Sequence, residues 1–75
     1  MKLASIIHLR NGREVETMAE AVELLSRLPE SRQERPVWVK TMEMLLLASK
    51  TRKAIDIRHA TAQLVRALQA EGWMI

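Results

Sequence analysis

The hydrophobic pattern of residues 3–17 indicates two strands that share one mainly apolar face. Within this stretch lies Asn11-Gly12, a strong turn signal because both residue types tolerate positive φ. We therefore predict a β-hairpin that turns at this pair. Two strands alone are marginally stable, so helices must cover the inner face of the hairpin.

The loop length decides which side chains of the hairpin share a face. A two-residue loop would oppose Ile7 to Glu16, whereas a three-residue loop over residues 10–12 pairs Ile7 with Val15. The second register separates apolar from charged side chains, so we predict it, with Gly12 in a G1 bulge. The predicted inner face holds Leu3, Ser5, Ile7, Leu9 and Val15. The predicted outer face holds Ile6, His8, Glu14 and Glu16, with His8 across from Glu14.

A capping box predicts the start of the first helix. Thr17 can accept from the backbone of Glu20, whose carboxylate reaches back to the N-cap. Pro29 ends this helix, and the polar residues 30–35 are predicted to form a connecting loop. The apolar positions of the helix follow a spacing of three to four residues: Met18, Ala21, Val22, Leu25 and Leu28.

The second predicted helix is apolar on nearly every side. Pro36 suits its first position, where the missing N–H costs nothing. Nine of residues 37–49 are apolar: Val37, Trp38, Val39, Met42, Met44, Leu45, Leu46, Leu47 and Ala48. A helix with so little polar surface is usually central in a domain or lies in an interface. We expect it to be the central helix, either fully enclosed or shared with a partner.

The third predicted helix begins at Asp56, which is a good N-cap. Gly72 fits the left-handed C′ position, so that Trp73 can pack on Leu68. Residues 73–75 then add a short third strand or cap the core. The apolar stripe of this helix is Ile57, Ala60 or Thr61, Leu64, Ala67 and Leu68. The fold class is thus α+β, an N-terminal β-hairpin followed by three helices.

Length and composition restrict the class of protein. A chain of 75 residues with 48% hydrophobic and 28% charged residues is one globular domain. It has no cysteine, which excludes a disulfide framework and a thiolate nucleophile. No apolar run approaches the about 20 residues that span a bilayer, and residues 1–10 do not resemble a signal peptide. We expect a cytoplasmic location and no association with membranes.

Few residues could support catalysis. His8 and His59 are the imidazole bases, one on a strand and one on a helix, and nothing brings either to a serine. Asp56 and His59 could share a metal, but a closed site needs about four ligands. Gly12 and Gly72 both have turn roles, so no glycine-rich phosphate loop is left. We predict that the protein is not an enzyme and binds no cofactor or metal.

Charge divides the chain into two halves. Residues 1–34 hold five Lys or Arg and six Glu, a balance of −1, while residues 35–75 hold seven against three, a balance of +4. The two sum to the net charge of +3. A candidate nucleic-acid contact that could bind phosphates consists of Lys50, Arg52, Lys53 and Arg58. The alternative is a solvated cluster that offsets a helix dipole.

Several short motifs together resemble a known family. They are Glu20-Ala21 with Leu24-Leu25, Leu28-Pro29, Pro36-x-Trp38, and Ala60, Ala67 and Ala70 before Gly72. In this order they are similar to the domain of unknown function 982 family, short proteins of alphaproteobacteria. The chain has Leu28 where that family has tryptophan and Arg35 where it has glycine. The resemblance implies a compact α+β fold in the cytoplasm and assigns no functional residue.

The apolar excess of the second helix leads to a functional prediction. Its side chains exceed what two helices and a hairpin face can cover, so the surplus suits another chain. We predict a small non-catalytic interaction or regulatory module, as a homo-oligomer or with a protein partner. The alternative is weak nucleic-acid binding through the basic residues between the second and third helices.

Overall fold

The chain forms an antiparallel hairpin followed by helices, so the predicted α+β class is confirmed. A computed structural model describes residues 1–74. Its elements in chain order are β1 (Lys2–His8), β2 (Glu14–Thr17), α1 (Met18–Ser26), α2 (Glu30–Gln33), α3 (Pro36–Thr51) and α4 (Ala54–Ala70).

The hairpin has the predicted register near its turn. Ile7 pairs with Val15 and His8 with Glu14, so the three-residue loop is confirmed. The register shifts between Lys2 and Ile7. Within this irregular stretch Ser5 is exposed, so its predicted place on the buried face is wrong. The side chains of the hairpin that are buried against the helices are Leu3, Ile7, Leu9 and Val15.

The turn depends on Gly12. Its backbone N–H donates to the Leu9 carbonyl at 3.1 Å, and its φ of +88° lies where side chains are strained. The Leu9 N–H in turn donates to the Arg13 carbonyl at 2.9 Å. The Arg13 N–H donates to the side chain of Asn11 at 2.9 Å. The glycine therefore makes the bulge that sets the register.

The predicted capping box at the start of α1 is confirmed. The Glu20 N–H donates to the Thr17 hydroxyl at 3.2 Å, and the Thr17 N–H donates to the Glu20 carboxylate at 3.0 Å. The Glu16 N–H donates to the same carboxylate oxygen at 3.2 Å. The hydrogen bonds that the Glu20 carboxylate accepts, first from the Glu16 N–H and then from the Thr17 hydroxyl and N–H, favour its ionised form and lower the pKa of Glu20.

Residues 30–33 form a helical turn, so the prediction of a loop over residues 30–35 and of three helices in all is wrong. The Pro29 carbonyl accepts from the N–H groups of Arg32 and Gln33 at 2.9 and 3.0 Å. The Gln33 side chain also donates to the Leu28 carbonyl at 2.7 Å. Helix α2 is held by these hydrogen bonds to the Pro29 and Leu28 carbonyls and has no apolar stripe. The hydropathy pattern therefore does not reveal it.

Helix α3 packs against α1, α2 and α4 but is not fully enclosed. It begins at Pro36, as predicted. Its buried side chains are Trp38, Thr41, Leu45 and Ala48. Apolar side chains on the opposite side, those of Val39, Leu46 and Leu47, are exposed. The prediction allowed this helix to be either fully enclosed or shared with a partner, and full enclosure is wrong.

Helix α4 begins earlier than predicted. Its N-cap is Lys53, and Asp56 lies in the first turn, so the N-cap assignment of Asp56 is wrong. The Asp56 carboxylate instead accepts from the Thr51 hydroxyl at 2.6 Å. This bond ties the end of α3 to the start of α4, which are joined by Arg52 and Lys53 alone. The buried stripe of α4 is Ala60, Thr61, Leu64, Ala67 and Leu68.

The end of α4 has the predicted glycine cap. Gly72, with φ +74°, donates to the Gln69 carbonyl at 3.0 Å, and the Trp73 N–H donates to the Leu68 carbonyl at 3.0 Å. These two bonds define a Schellman motif. The motif directs the chain back across the core, so that Trp73 packs against it.

The segment after the cap returns to the hairpin. The Arg10 N–H donates to the Trp73 carbonyl at 2.9 Å, and Leu9 forms an isolated antiparallel bridge with Met74. Of the predicted tail over residues 73–75, Ile75 lies outside the described residues. Within residues 1–74 the tail thus meets the hairpin at Leu9, just after β1, through one bridge.

Candidate functional site

The four basic residues predicted as a nucleic-acid contact lie around one end of the helical pair α3 and α4. Lys50 is in the last turn of α3, Arg52 and Lys53 form the connection, and Arg58 is in α4. All four side chains are exposed, and within residues 1–74 none makes an ion pair. The connection is only these two residues long, and Arg52 adopts a left-handed conformation with φ +58°.

The two histidines lie on different elements. His8, on β1, has its Nδ1 3.1 Å from the Glu14 carboxylate, and both side chains are more than half exposed. His59 is exposed on α4. In the described part of the chain, no group of three or more His, Asp or Glu side chains is arranged to hold a metal ion. Among residues 1–74, no helix has the length and apolar character needed to cross a bilayer.

Of the six large hydrophobic side chains that are exposed in residues 1–74, three lie on one side of α3. We call this surface the outer α3 face and define it as Val39, Met42, Glu43, Leu46, Leu47 and Lys50. Spacings of three and four residues place these side chains on one side of the helix. Val39 is 42% exposed, and Leu46 and Leu47 are each 52% exposed. These are large values for aliphatic side chains that share one surface.

An apolar groove adjoins the outer α3 face. It has a volume of about 220 Å³ and lies where α1 and the segment after it meet α3. Its lining residues are Leu25, Leu28, Gln33, Trp38, Val39, Met42 and Glu43. Val39, Met42 and Glu43 belong to both surfaces, so the groove and the outer α3 face are continuous.

The outer α3 face carries two opposite charges. Glu43 and Lys50 are seven residues apart, which is about 10 Å along a helix. Both side chains are exposed, and neither has an ion-pair partner in residues 1–74. The two exposed leucines lie between them in the sequence. The face is thus apolar at its centre, with a free anion before the leucines and a free cation after them.

A second cluster, which we call the Glu71 cluster, consists of Arg32, Arg35, Trp38, Glu71 and Trp73. The Trp38 indole N–H donates to the Glu71 carboxylate at 3.1 Å, and Arg32 and Arg35 pair with the same carboxylate. The Glu71 side chain is only 12% exposed. Its hydrogen bond from Trp38, followed by that from Arg32, lowers the pKa of Glu71 despite its burial.

Aromatic contacts complete the Glu71 cluster. The Trp38 and Trp73 rings stack with centroids 5.9 Å apart and planes at 27°. The Arg32 guanidinium lies 5.3 Å from the centroid of the Trp73 ring, a cation–π distance. In residues 1–74, no buried side-chain nitrogen or oxygen is without a partner. Because its members satisfy one another, the cluster is structural, and it fixes α2 and the end of α4 against α3.

The sequence alone did not identify these two features. The Glu71 cluster joins residues 33 to 41 positions apart, and no local pattern indicates such pairs. Two tryptophans as the sole aromatic residues in the sequence were the one available signal. For the outer α3 face, the apolar excess was visible in the sequence, but which side chains remain exposed depends on packing.

Comparison with protein families, curated proteins and solved structures finds no match for this chain. The resemblance to the domain of unknown function 982 family therefore stays a prediction.

Proposed function

We propose that the protein is a small non-catalytic module of the cytoplasm that self-associates through the outer α3 face. The observation that carries the proposal is the exposure of Val39, Leu46 and Leu47 on one side of one helix. Burying the exposed half of a leucine side chain contributes on the order of 1 kcal/mol. A surface that a second copy covers gains this contribution from both chains.

A second copy of the chain is the occupant that we favour. In a twofold dimer the same surface is used twice, so the surface must be complementary to itself. The outer α3 face meets this requirement because its apolar centre faces another apolar centre, and its two free charges have opposite signs. The adjoining groove gives the partner side chains further apolar surface to fill.

Sedimentation equilibrium at micromolar concentration tests the proposal. We expect a mass near twice that of the 8.6 kDa chain. A Leu46→Glu variant should be monomeric, because the charge would be desolvated in the interface. The matched control is Ile6→Glu, since Ile6 is 48% exposed on the hairpin and distant in sequence from α3. A monomeric parent protein, or equal effects of the two variants, would contradict self-association through this face.

A second candidate function is nucleic-acid binding, favoured by the four exposed basic side chains without ion pairs described above. Their phosphate contacts would be independent of sequence and weakened by salt. Titration of a labelled duplex at two salt concentrations tests it. The informative variant is Lys53→Glu with Arg58→Glu, because neither residue belongs to the outer α3 face. Absence of binding at low salt, or binding that this variant leaves unchanged, would exclude the candidate.

A further inference from the structure

The charges of the outer α3 face are placed symmetrically about its leucines. Glu43 precedes Leu46 by three residues, and Lys50 follows Leu47 by three residues. The midpoint between the two charges is therefore the midpoint between the two leucines. A rotation by 180° about an axis that passes through this point, perpendicular to the helix, therefore exchanges the position of the Glu43 anion with that of the Lys50 cation.

This symmetry distinguishes the two ways in which two copies of α3 can pair. In a parallel pair, Glu43 meets Glu43 of the second copy and Lys50 meets Lys50, so like charges oppose each other. In an antiparallel pair centred between Leu46 and Leu47, each Glu43 meets a Lys50. Since neither charge has a partner within residues 1–74, each is available to a second chain.

We infer that two copies of this chain pair antiparallel along α3, with the twofold axis between Leu46 and Leu47 and Glu43 of each copy opposite Lys50 of the other. This inference rests on the proposed self-association and adds its orientation and register. Leu46 of one copy then packs against Leu47 of the other, on both sides of the axis. The two ion pairs flank this apolar centre, where they select the orientation more than they add affinity.

Exchange of the two charges tests the inference. Glu43→Lys opposes two lysines across the axis, and Lys50→Glu opposes two glutamates, so each single variant should weaken the dimer by about tenfold at low salt. The double variant Glu43→Lys/Lys50→Glu restores both pairs and should dimerise like the parent protein. A parallel pair predicts instead that neither single variant weakens the dimer in this way, because like charges already oppose each other in the parent protein.

Cysteine cross-linking measures the register independently. The chain has no cysteine of its own, so each single substitution introduces the only thiol, and any cross-link identifies that position. Leu46→Cys lies beside the axis and should form a disulfide-linked dimer under mild oxidation. Val39→Cys should not, because the two copies of residue 39 are about 22 Å apart at a rise of 1.5 Å per residue. A disulfide needs Cα atoms within about 7 Å.

The outcomes separate the inference from the proposal on which it rests. A monomeric parent protein overturns both. A dimer in which Val39→Cys cross-links, in which the single charge variants do not weaken association, or in which the double exchange does not restore it overturns the antiparallel register alone. Both charged side chains are exposed, so the charge variants should fold, and circular dichroism of each variant verifies this. Restoration together with cross-linking at Leu46→Cys and not at Val39→Cys supports the inference.

Discussion

The Trp38 indole N–H donates a 3.1 Å hydrogen bond to the Glu71 carboxylate, although the two residues are 33 positions apart. The bond joins the buried first turn of α3 to the C-cap residue of α4. Arg32 of α2 binds the same carboxylate and lies over Trp73. The negative charge of Glu71 therefore connects three parts of the fold.

The Glu71 cluster should make the protein sensitive to acid. The hydrogen bond from Trp38 and the charge of Arg32 lower the pKa of Glu71 in the folded chain. A lowered pKa contributes stability that is complete above the ordinary pKa of glutamate and is lost as the pH falls through the lowered value. We expect the free energy of unfolding, measured by urea denaturation, to decrease over this acid range.

Replacement of the carboxylate tests this origin of acid sensitivity. Glu71→Gln should lower the melting temperature at neutral pH and make stability depend less on pH in the acid range. Glu34→Gln is the control, since Glu34 is exposed and outside the Glu71 cluster. Glu20 also has a lowered pKa, so some acid sensitivity should remain in the Glu71 variant. An unchanged pH dependence in Glu71→Gln would contradict the assignment.

Trp38 should be among the residues most costly to truncate. It is 1% exposed, stacks on Trp73 and binds Glu71. Trp38→Ala should lower the free energy of unfolding by about 3–5 kcal/mol, because a cavity forms in the core. Trp38→Phe keeps an aromatic ring but loses the indole N–H, so it should cost less. Urea denaturation of both variants measures this difference. Equal costs would contradict the contribution of ring packing, and a Trp38→Phe variant as stable as the parent protein would contradict a role for the N–H.

Features that depend on neighbouring residues could be predicted from the sequence. The hairpin register can be predicted because pairing Ile7 with Val15 keeps apolar side chains on one face. The cap of α4 can be predicted from Gly72, whose hydrogen bond reaches only three residues back. The capping box of Thr17 and Glu20 is equally local. Each of these patterns carries its own hydrogen-bond partners, so tertiary packing does not alter it.

Features that depend on distant residues could not be predicted. Asp56 is a residue type typical of an N-cap, but its carboxylate accepts from the Thr51 hydroxyl of the preceding helix. Polar residues 30–33 form a helix because Gln33 and Arg32 bind groups outside it. For the candidate site, the sequence located the apolar surplus in α3 but not the side on which Leu46 and Leu47 stay exposed.

Thr61 should have a structural role in joining α4 to the hairpin. Its hydroxyl accepts from the Ala4 N–H at 3.1 Å and donates to the Ile57 carbonyl at 2.7 Å, and the residue is buried. Thr61→Val keeps the shape but leaves the Ala4 N–H without this acceptor, which should cost about 1–3 kcal/mol. Thr61→Ser keeps the hydroxyl and should cost less. Thermal unfolding of the two variants compares them, and a Val variant as stable as the Ser variant would contradict this role.

Arg52 should be a position at which glycine stabilises the protein. Its φ of +58° and ψ of 17° are left-handed, and its N–H donates to the Ala48 carbonyl at 2.8 Å. A side chain in this conformation costs roughly 1 kcal/mol, and glycine is the residue usual at such helix ends. Arg52→Gly should therefore raise the free energy of unfolding by about 0.5–1 kcal/mol in urea denaturation.

The matched control for this prediction is Arg52→Ala, which also removes the cation but keeps the strained Cβ. If the gain came from relieving repulsion among Lys50, Arg52 and Lys53, alanine would stabilise as much as glycine. If it comes from the backbone, glycine alone stabilises, because alanine has the same restriction on φ as arginine. We expect the second result. The two-residue connection leaves few other backbone conformations, so Arg52 holds this strain to let α4 fold back against α3.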